Sequence, residues 1–282
     1  MRATNDGTLR VAGAALFYRV RGNGPLLLIL SGGDGDADTS DALCDQLLDR
    51  YTVVTYVRRG LSRSTIDAHV GDVQIATHSE DAHHLLVALS HEPAFVFGSS
   101  IGALIGLDLV TRHPEQVRVL VAHEPPLWEL LPDVERDRAV RAQEDAESTY
   151  QREGADAAFT KLVALAAVDF RDREPDAVLA PPTSERAANL AFFFTYDSPA
   201  VLRYRIDVAA LKAAPTRIVP AGGQSAPDSA PHRAAAALAA RLGEPLVAFP
   251  GGHTSWLLRP KGFASTLREI LEGSHHDRSV RA

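Results

Sequence analysis

The sequence predicts an α/β architecture: a mostly parallel central sheet flanked by helices, with a helical cap inserted into it. Three observations carry this. Short, wholly apolar runs such as Leu26-Leu27-Leu28-Ile29-Leu30 are bounded by turn residues, the mark of strands buried on both faces. Such runs alternate with helical patterns as far as residue 122, the βαβ order that calls for parallel pairing through crossover helices. From about residue 125 to 214 the alternation stops, and charge-rich helical stretches follow one another with no strand pattern between them.

Each element has its own local reason. Leu16-Phe17-Tyr18-Arg19-Val20 reads as a strand, and the turn Gly22-Asn23-Gly24-Pro25 leads into the third strand, Leu26 to Leu30, which ends in Ser31-Gly32-Gly33. A helix is expected from about Thr39 to Arg50, then a strand from Tyr51 to Tyr56 that stops at Arg58-Arg59-Gly60. Glu80 to Leu89 is amphipathic, Ala94-Phe95-Val96-Phe97 is a strand, Ile101 to Arg112 is an almost wholly apolar helix, and Val117 to Ala122 is a strand again. In the insertion, Val134 to Tyr150 and Ala157 to Ala167 are helical. Ser198-Pro199 reads as an N-cap followed by proline at the first helical position, opening a helix to about Leu211. The sheet resumes with Thr216 to Pro220. His232 to Leu242 is an alanine-rich helix closed by Gly243, and Leu246 to Phe249 is the last strand, leading to Gly251-Gly252-His253. Phe263, Leu267, Ile270 and Leu271 give a final helix one apolar face. The expected organisation is a core of residues 1–126 and 212–274, a cap of residues 127–211 and a polar tail of residues 275–282.

Composition narrows the function classes. With 282 residues, 45% hydrophobic and 23% charged, at a mean hydropathy of -0.07, the chain has enough apolar surface to offset the ordering entropy of a packed globule. Its 29 Lys and Arg against 36 Asp and Glu give a net charge of -7, which does not suit a nucleic-acid partner. Cys44 is the single cysteine, so neither an intramolecular disulfide nor a multi-thiolate zinc site is expected, and a reducing, cytoplasmic setting is the default. The segment Met1 to Gly7 lacks the apolar core of a secretory signal, and no segment approaches the roughly 20 apolar residues that span a bilayer. A soluble chain with no membrane partner is expected; its oligomeric state, a homodimer included, is left open.

The sharpest chemical signal is Gly98-Ser99-Ser100-Ile101-Gly102, a G-x-S-x-G sequence between a predicted strand and a predicted helix. An abrupt strand-to-helix corner strains its central residue and needs small neighbours, while that residue's side chain projects into the open; the frame makes Ser100 the projecting group. A serine hydroxyl is a poor nucleophile without a base. Among 11 histidines, His253 follows the last predicted strand and fits the chain order serine, acid, histidine. His113 stands at a helix end before Pro114. His78, His83 and His84 lie on or near one helix without a metal-binding spacing. For the acid, the loop after the next-to-last strand has Gln224 and Ser225 where a carboxylate is usual, and Asp228 stands farther along. The strand after the elbow helix ends in His123-Glu124-Pro125-Pro126, and neighbouring parallel strands end at one sheet edge. Glu124 is therefore the expected acid, with Asp228 the alternative. Ser31-Gly32-Gly33 follows the third strand, so the expected oxyanion-hole donors are the backbone N–H of Ile101 and that of Gly32 or Gly33. Asp34, Asp36 and Asp38 do not form an EF-hand, since Thr39 and Asp45 stand where glycine and glutamate are needed. No metal or cofactor is expected.

On these residues the chain resembles the α/β-hydrolases over nearly its full length, with the cap inserted after the sixth strand. Gly98-Ser99-Ser100-Ile101-Gly102, Arg59-Gly60-Leu61-Ser62-Arg63-Ser64 and Gly251-Gly252-His253 carry the resemblance. Gly60 to Ser64 together with His123-Glu124-Pro125-Pro126 resembles more narrowly the zearalenone-lactonase group, whose acid is a glutamate after the sixth strand. Haloalkane dehalogenases use a similar acid position, but their elbow carries aspartate. Two departures stand out: Ser31 replaces the histidine common before the oxyanion glycine, and Val57 stands where many relatives have aspartate. The resemblance implies a serine hydrolase acting on a small-molecule ester or lactone, with Trp128, Phe192, Phe193, Phe194 and Tyr196 of the cap as apolar pocket lining. Carbon–carbon bond hydrolysis, peracid formation and non-catalytic ligand binding on the same fold stay open beside it.

Overall fold

In the computed structural model, which describes residues 4–33, 35–67, 71–177 and 184–276, two antiparallel strands open the chain. β1 (Thr4–Val11) and β2 (Ala14–Gly22) form a hairpin whose turn contains Gly13 at φ 76°. β3 (Leu26–Leu30), β4 (Thr52–Tyr56), the two-residue β5 (Thr65–Ile66), β6 (Ala94–Ser99), β7 (Val117–His123), β8 (Arg217–Gly223) and β9 (Val247–Phe249) complete one sheet. Its order is β1-β2-β4-β3-β6-β7-β8-β9, with β5 paired to β2. β2 meets β4 antiparallel, and every pairing from β4 to β9 is parallel.

Side chains alternate across a strand, so each parallel strand feeds two cores. Leu28, Leu30, Val96 and Leu120 face one layer, packed with residues of α2 (Ile75–Leu89), α3 (Ile101–Arg112) and α9 (Ala230–Leu242). Leu27, Ile29, Phe95, Phe97, Val119 and Val121 face the other, with Leu43 of α1 (Asp41–Asp45) and Phe263 and Leu267 of α11 (Pro260–His276). Truncating a fully buried ring such as Phe97 to alanine would cost about 3–5 kcal/mol. No helix among the described residues is long and apolar enough to cross a membrane.

Between β7 and β8 the described chain is helical: α4 (Asp133–Glu153), α5 (Ala155–Leu165), α6 (Ser184–Phe192), a π-helical turn (Phe193–Asp197), α7 (Ser198–Arg203) and α8 (Val208–Ala213). Ala146, Ala158, Leu190, Phe193 and Phe194 form a small core of their own there.

Several local expectations are corrected. The helix expected from Thr39 to Arg50 is a 3-10 turn (Ala37–Ser40) and the five-residue α1, because the N–H groups of Gln46 and Leu47 bond back three residues and tighten the chain. Ser198 is not an N-cap: the helix runs into it from the π turn. Its buried hydroxyl donates to Glu147 Oε1 (2.7 Å) and accepts from Gln143 Nε2 (2.9 Å). Pro199 would clash with a carbonyl four residues back in a regular helix, and the wider π turn precedes it. The helix also stops at Arg203 and restarts only after Asp207, whose side chain accepts from Ala210 N. Thr4–Val11, which is polar and half-exposed, pairs as an edge strand without a strong apolar pattern. Asp34 and the tail from residue 277 lie outside the described residues.

Candidate active site

β6 turns directly into α3, and Ser100 is the corner. Its φ of 55° and ψ of -123° are strained for a residue with a side chain, a cost of about 1–3 kcal/mol that the flanking structure must sustain. The two glycines of the motif make the corner fit. A Cβ on Gly102 would stand 1.9 Å from the Leu30 carbonyl oxygen, and one on Gly98 would stand 2.5 Å from that of Gly102. Ser100 N donates to His123 O (2.9 Å), tying the corner to the end of β7.

The residue after β7 is Glu124, itself held at φ 47° and only 1% exposed. Its Oε1 accepts from Gly223 N (2.8 Å) at the end of β8, and its Oε2 lies 2.7 Å from His253 Nδ1 in the loop after β9. With a carboxylate on Nδ1, that nitrogen carries the proton and Nε2 is left as an acceptor. His232 adds a second imidazole: its Nδ1 is 3.5 Å from Glu124 Oε1, ion-pair range without a formed hydrogen bond. Burial pushes the Glu124 carboxyl up, but the contacts with His232 and His253 outweigh it and hold the group well below the usual carboxylate range. His232 is raised in turn, chiefly by Glu124. Asp228, the alternative acid, is exposed in the turn before α9, and the nitrogen it would have to hold already faces Glu124. His123 is wholly buried, and burial lowers it to about 4.

Ser100, His253, Ile101, Gly32 and Gly33 all line one cavity of about 940 Å³. No hydrogen bond joins Ser100 to His253 among the described residues; such contacts often tighten only when a ligand is bound. Gly32 packs against the corner, where a Cβ would come within 3.1 Å of Ser100 Cβ. Ser31, where the proteins the sequence resembles commonly carry histidine, bonds Ser40 through their hydroxyls (3.0 Å). Beneath the loop lies Arg58, which donates to Ser31 O (2.9 Å), to Gly33 O (2.7 Å) and to Asp197 of the π turn (3.0 Å). Arg59 forms a separate buried, two-pronged pair with Asp81. Val57, the other departure, is buried with Ala37 and Leu61.

The cavity corrects the expected lining. Trp128 and Phe193 line it, and Trp128 Nε1 is fixed by donation to Gln143 Oε1 (2.6 Å). The other three aromatics are elsewhere. Phe192 covers Gly60, Phe194 stacks on Tyr150 in the cap core, and Tyr196 is 38% exposed beside Phe192. The walls instead come largely from Phe159, Leu162, Val163 and Ala166, one face of α5 and its end, together with Trp256 and Leu257. That face was open to detection by its i, i+3, i+4, i+7 spacing.

The α/β hydrolase fold family matches residues 25–210. The chain belongs to the α/β-hydrolase fold family. YraK of Bacillus subtilis strain 168, an uncharacterized hydrolase, is 41% identical over 272 residues, covering 95% of this chain and 96% of that protein. Among solved structures, a putative epoxide hydrolase from Pseudomonas aeruginosa superposes with a TM-score of 0.74 at 18% identity, covering 97% of each chain. Est816, an N-acyl homoserine lactone degrading enzyme, gives 0.70 at 21%, covering 93% of this chain and 99% of its own. These two are similar in fold alone, and their different chemistries illustrate why the site has to be argued separately.

Elsewhere in this α/β-hydrolase, Glu80, His83 and His113 bring potential ligand atoms within 4.8 Å of one another. The two imidazoles, however, are stacked at 3.7 Å with planes 12° apart, so they cannot both direct in-plane lone pairs at one ion. Each ring already has a protein partner: Gln116 for His83 and Glu80 for His113.

Proposed function

We propose that this hydrolase cleaves carboxylic esters or lactones with a bulky apolar part, through an acyl-enzyme on Ser100. The observation that carries the reading is the 2.7 Å contact between His253 Nδ1 and the buried Glu124 carboxylate, facing the cavity that also holds the strained Ser100 corner. His253 Nε2 takes the Ser100 proton as Oγ attacks the carbonyl carbon. Glu124 keeps the ring in the required tautomer and stabilises the imidazolium. Backbone N–H groups of Ile101 and of Gly32 or Gly33 receive the developing oxyanion, each such donor worth about 3 kcal/mol in related sites. His253 returns the proton to the leaving alkoxide. Water, deprotonated by the same nitrogen, then releases the acid and regenerates the serine. No step calls for a cofactor.

The substrate class rests on the walls. Phe159, Leu162, Val163, Phe193 and Trp256 offer apolar contact to a bulky acyl or macrocyclic portion, while Asn189 and Arg186 add polar groups. The resemblance of the acid position to the zearalenone-lactonase group makes macrolactones the first compounds to try. The lone buried thiol of Cys44 suits a reducing cytoplasm. A fluorophosphonate is expected to label Ser100, with labelling lost in Ser100→Ala and strongly slowed in His253→Ala. An unlabelled but folded wild type would instead favour a ligand-binding protein on this fold.

A further inference from the structure

Arg58 is only 2% exposed and Asp197 is fully buried, yet the chain carries this charged pair between the loop after β3 and the cap. All three guanidinium nitrogens are engaged. Nε and Nη2 reach Asp197 Oδ2 at 3.2 and 3.0 Å, Nη1 donates to Ser31 O at 2.9 Å, and Nη2 also donates to Gly33 O at 2.7 Å. On its other oxygen, Asp197 meets the buried His78 Nε2 at 2.9 Å. Gly35 lies flat against the guanidinium, where a Cβ would fall 2.5 Å from Nη1. Burial pushes the Asp197 carboxyl up, but the contacts with Arg58 and His78 overcome this and keep it below its ordinary range.

The direction of these bonds matters. In a planar trans peptide the C=O and the following N–H point oppositely. Holding the Ser31 carbonyl on Arg58 therefore turns the Gly32 N–H away from the guanidinium, and Gly32 lines the cavity beside Ser100. A buried ion pair adds little net stability, because desolvation offsets the attraction, but it holds its partners to one geometry. We infer that Arg58 is a positioning residue that aims the Gly32 N–H as the second oxyanion donor, and that Asp197 makes this aim depend on the cap being seated. This rests on the serine-hydrolase reading above and deepens it, selecting Gly32 over Gly33.

The test compares wild type, Arg58→Lys and Asp197→Asn with a short aryl ester and an aryl trifluoromethyl ketone, which forms an oxyanion-bearing hemiketal on the serine. Lysine cannot span both carbonyls and the carboxylate; asparagine keeps the shape but removes the charge. In folded variants, kcat is expected to fall about 10- to 100-fold, the scale of a small misplacement, with KM within about twofold. Ketone affinity should fall by the same factor as kcat/KM. A variant that is merely loosened would show a lower melting temperature without this matched loss. Folded variants with unchanged kcat and ketone affinity, or with a loss confined to KM, overturn the inference. Should neither variant fold, hydrogen exchange of the wild type decides. The ketone should protect residues 31–33 and also the cap segment 193–203, and protection of the loop alone would overturn the coupling. A wild type that neither hydrolyses the ester nor binds the ketone removes the serine-hydrolase reading itself, and the positioning role falls with it.

Discussion

Replacing Glu124 by glutamine should do more than delete a charge. Oε1 accepts from Gly223 N at 2.8 Å, so in Glu124→Gln the amide oxygen is committed to that N–H. The amide NH2 must then face His253 Nδ1, where the carboxylate oxygen stood at 2.7 Å. It can only donate, which forces the ring proton onto Nε2, the nitrogen that has to accept from Ser100. The charge term adds to this. Opposite charges about 4 Å apart attract by about 4 kcal/mol at an effective dielectric near 20, equivalent to about 10³ in rate. Together these give an expected loss in kcat/KM of about 10³- to 10⁴-fold, in line with the effect of the wrong tautomer in serine proteases. The assay is aryl-ester hydrolysis alongside the rate of fluorophosphonate labelling, with thermal melting to verify folding. Raising the pH should not restore activity, because the fault is tautomeric. Glu124→Gln retaining more than roughly a tenth of wild-type activity would refute the reasoning; so would loss of turnover in Asp228→Asn with Glu124→Gln still active.

The same carboxylate has a thermodynamic signature. Its folded pKa is depressed below the ordinary 4.5, so its contribution to stability is complete above that pH and is lost as pH falls through the lowered folded value. Urea denaturation of wild type should therefore lose stability more steeply below about pH 4.5 than Glu124→Gln does, by up to about 1.4 kcal/mol per pH unit; identical slopes would contradict this. In the cavity, Val163→Trp should reduce kcat/KM for a macrolactone by roughly tenfold while leaving a short aryl acetate within about threefold. Equal effects on both substrates would mean that α5 does not contact the bulky portion.

Much of the core is legible in sequence because its determinants are local. The apolar parity of Leu26 to Leu30 and of Ala94 to Phe97 specifies strands buried on both faces, and the spacing of Gly98, Ser100 and Gly102 specifies a corner too crowded for other residues. Parallel strands end at one edge, which is why Glu124 after β7 can be connected to His253 after β9 although 129 residues separate them. The cap is harder. The π turn shifts the phase of the helix through Phe193–Asp197, so aromatic neighbours in sequence face a core, a cavity, a glycine and solvent. Arg58 and Asp197 are 139 residues apart, and no local pattern announces their pairing. Ser198 has the composition of a cap yet hydrogen-bonds inside the fold, because tertiary partners outcompete its local preference.

The five-residue π turn also limits how this cap could be exchanged. An α-helix advances about 100° per residue, so deleting one residue from that turn would restore regular winding while swinging Asp197 by about that angle, just over a quarter of a revolution, from Arg58. A chimera that grafts a cap of ordinary helices onto this sheet would keep the Ser100 corner but leave the arginine without its counter-ion. Shuffling experiments should therefore treat residues 193–199 as belonging with the sheet and its Ser100 corner, not with the rest of the helical insertion.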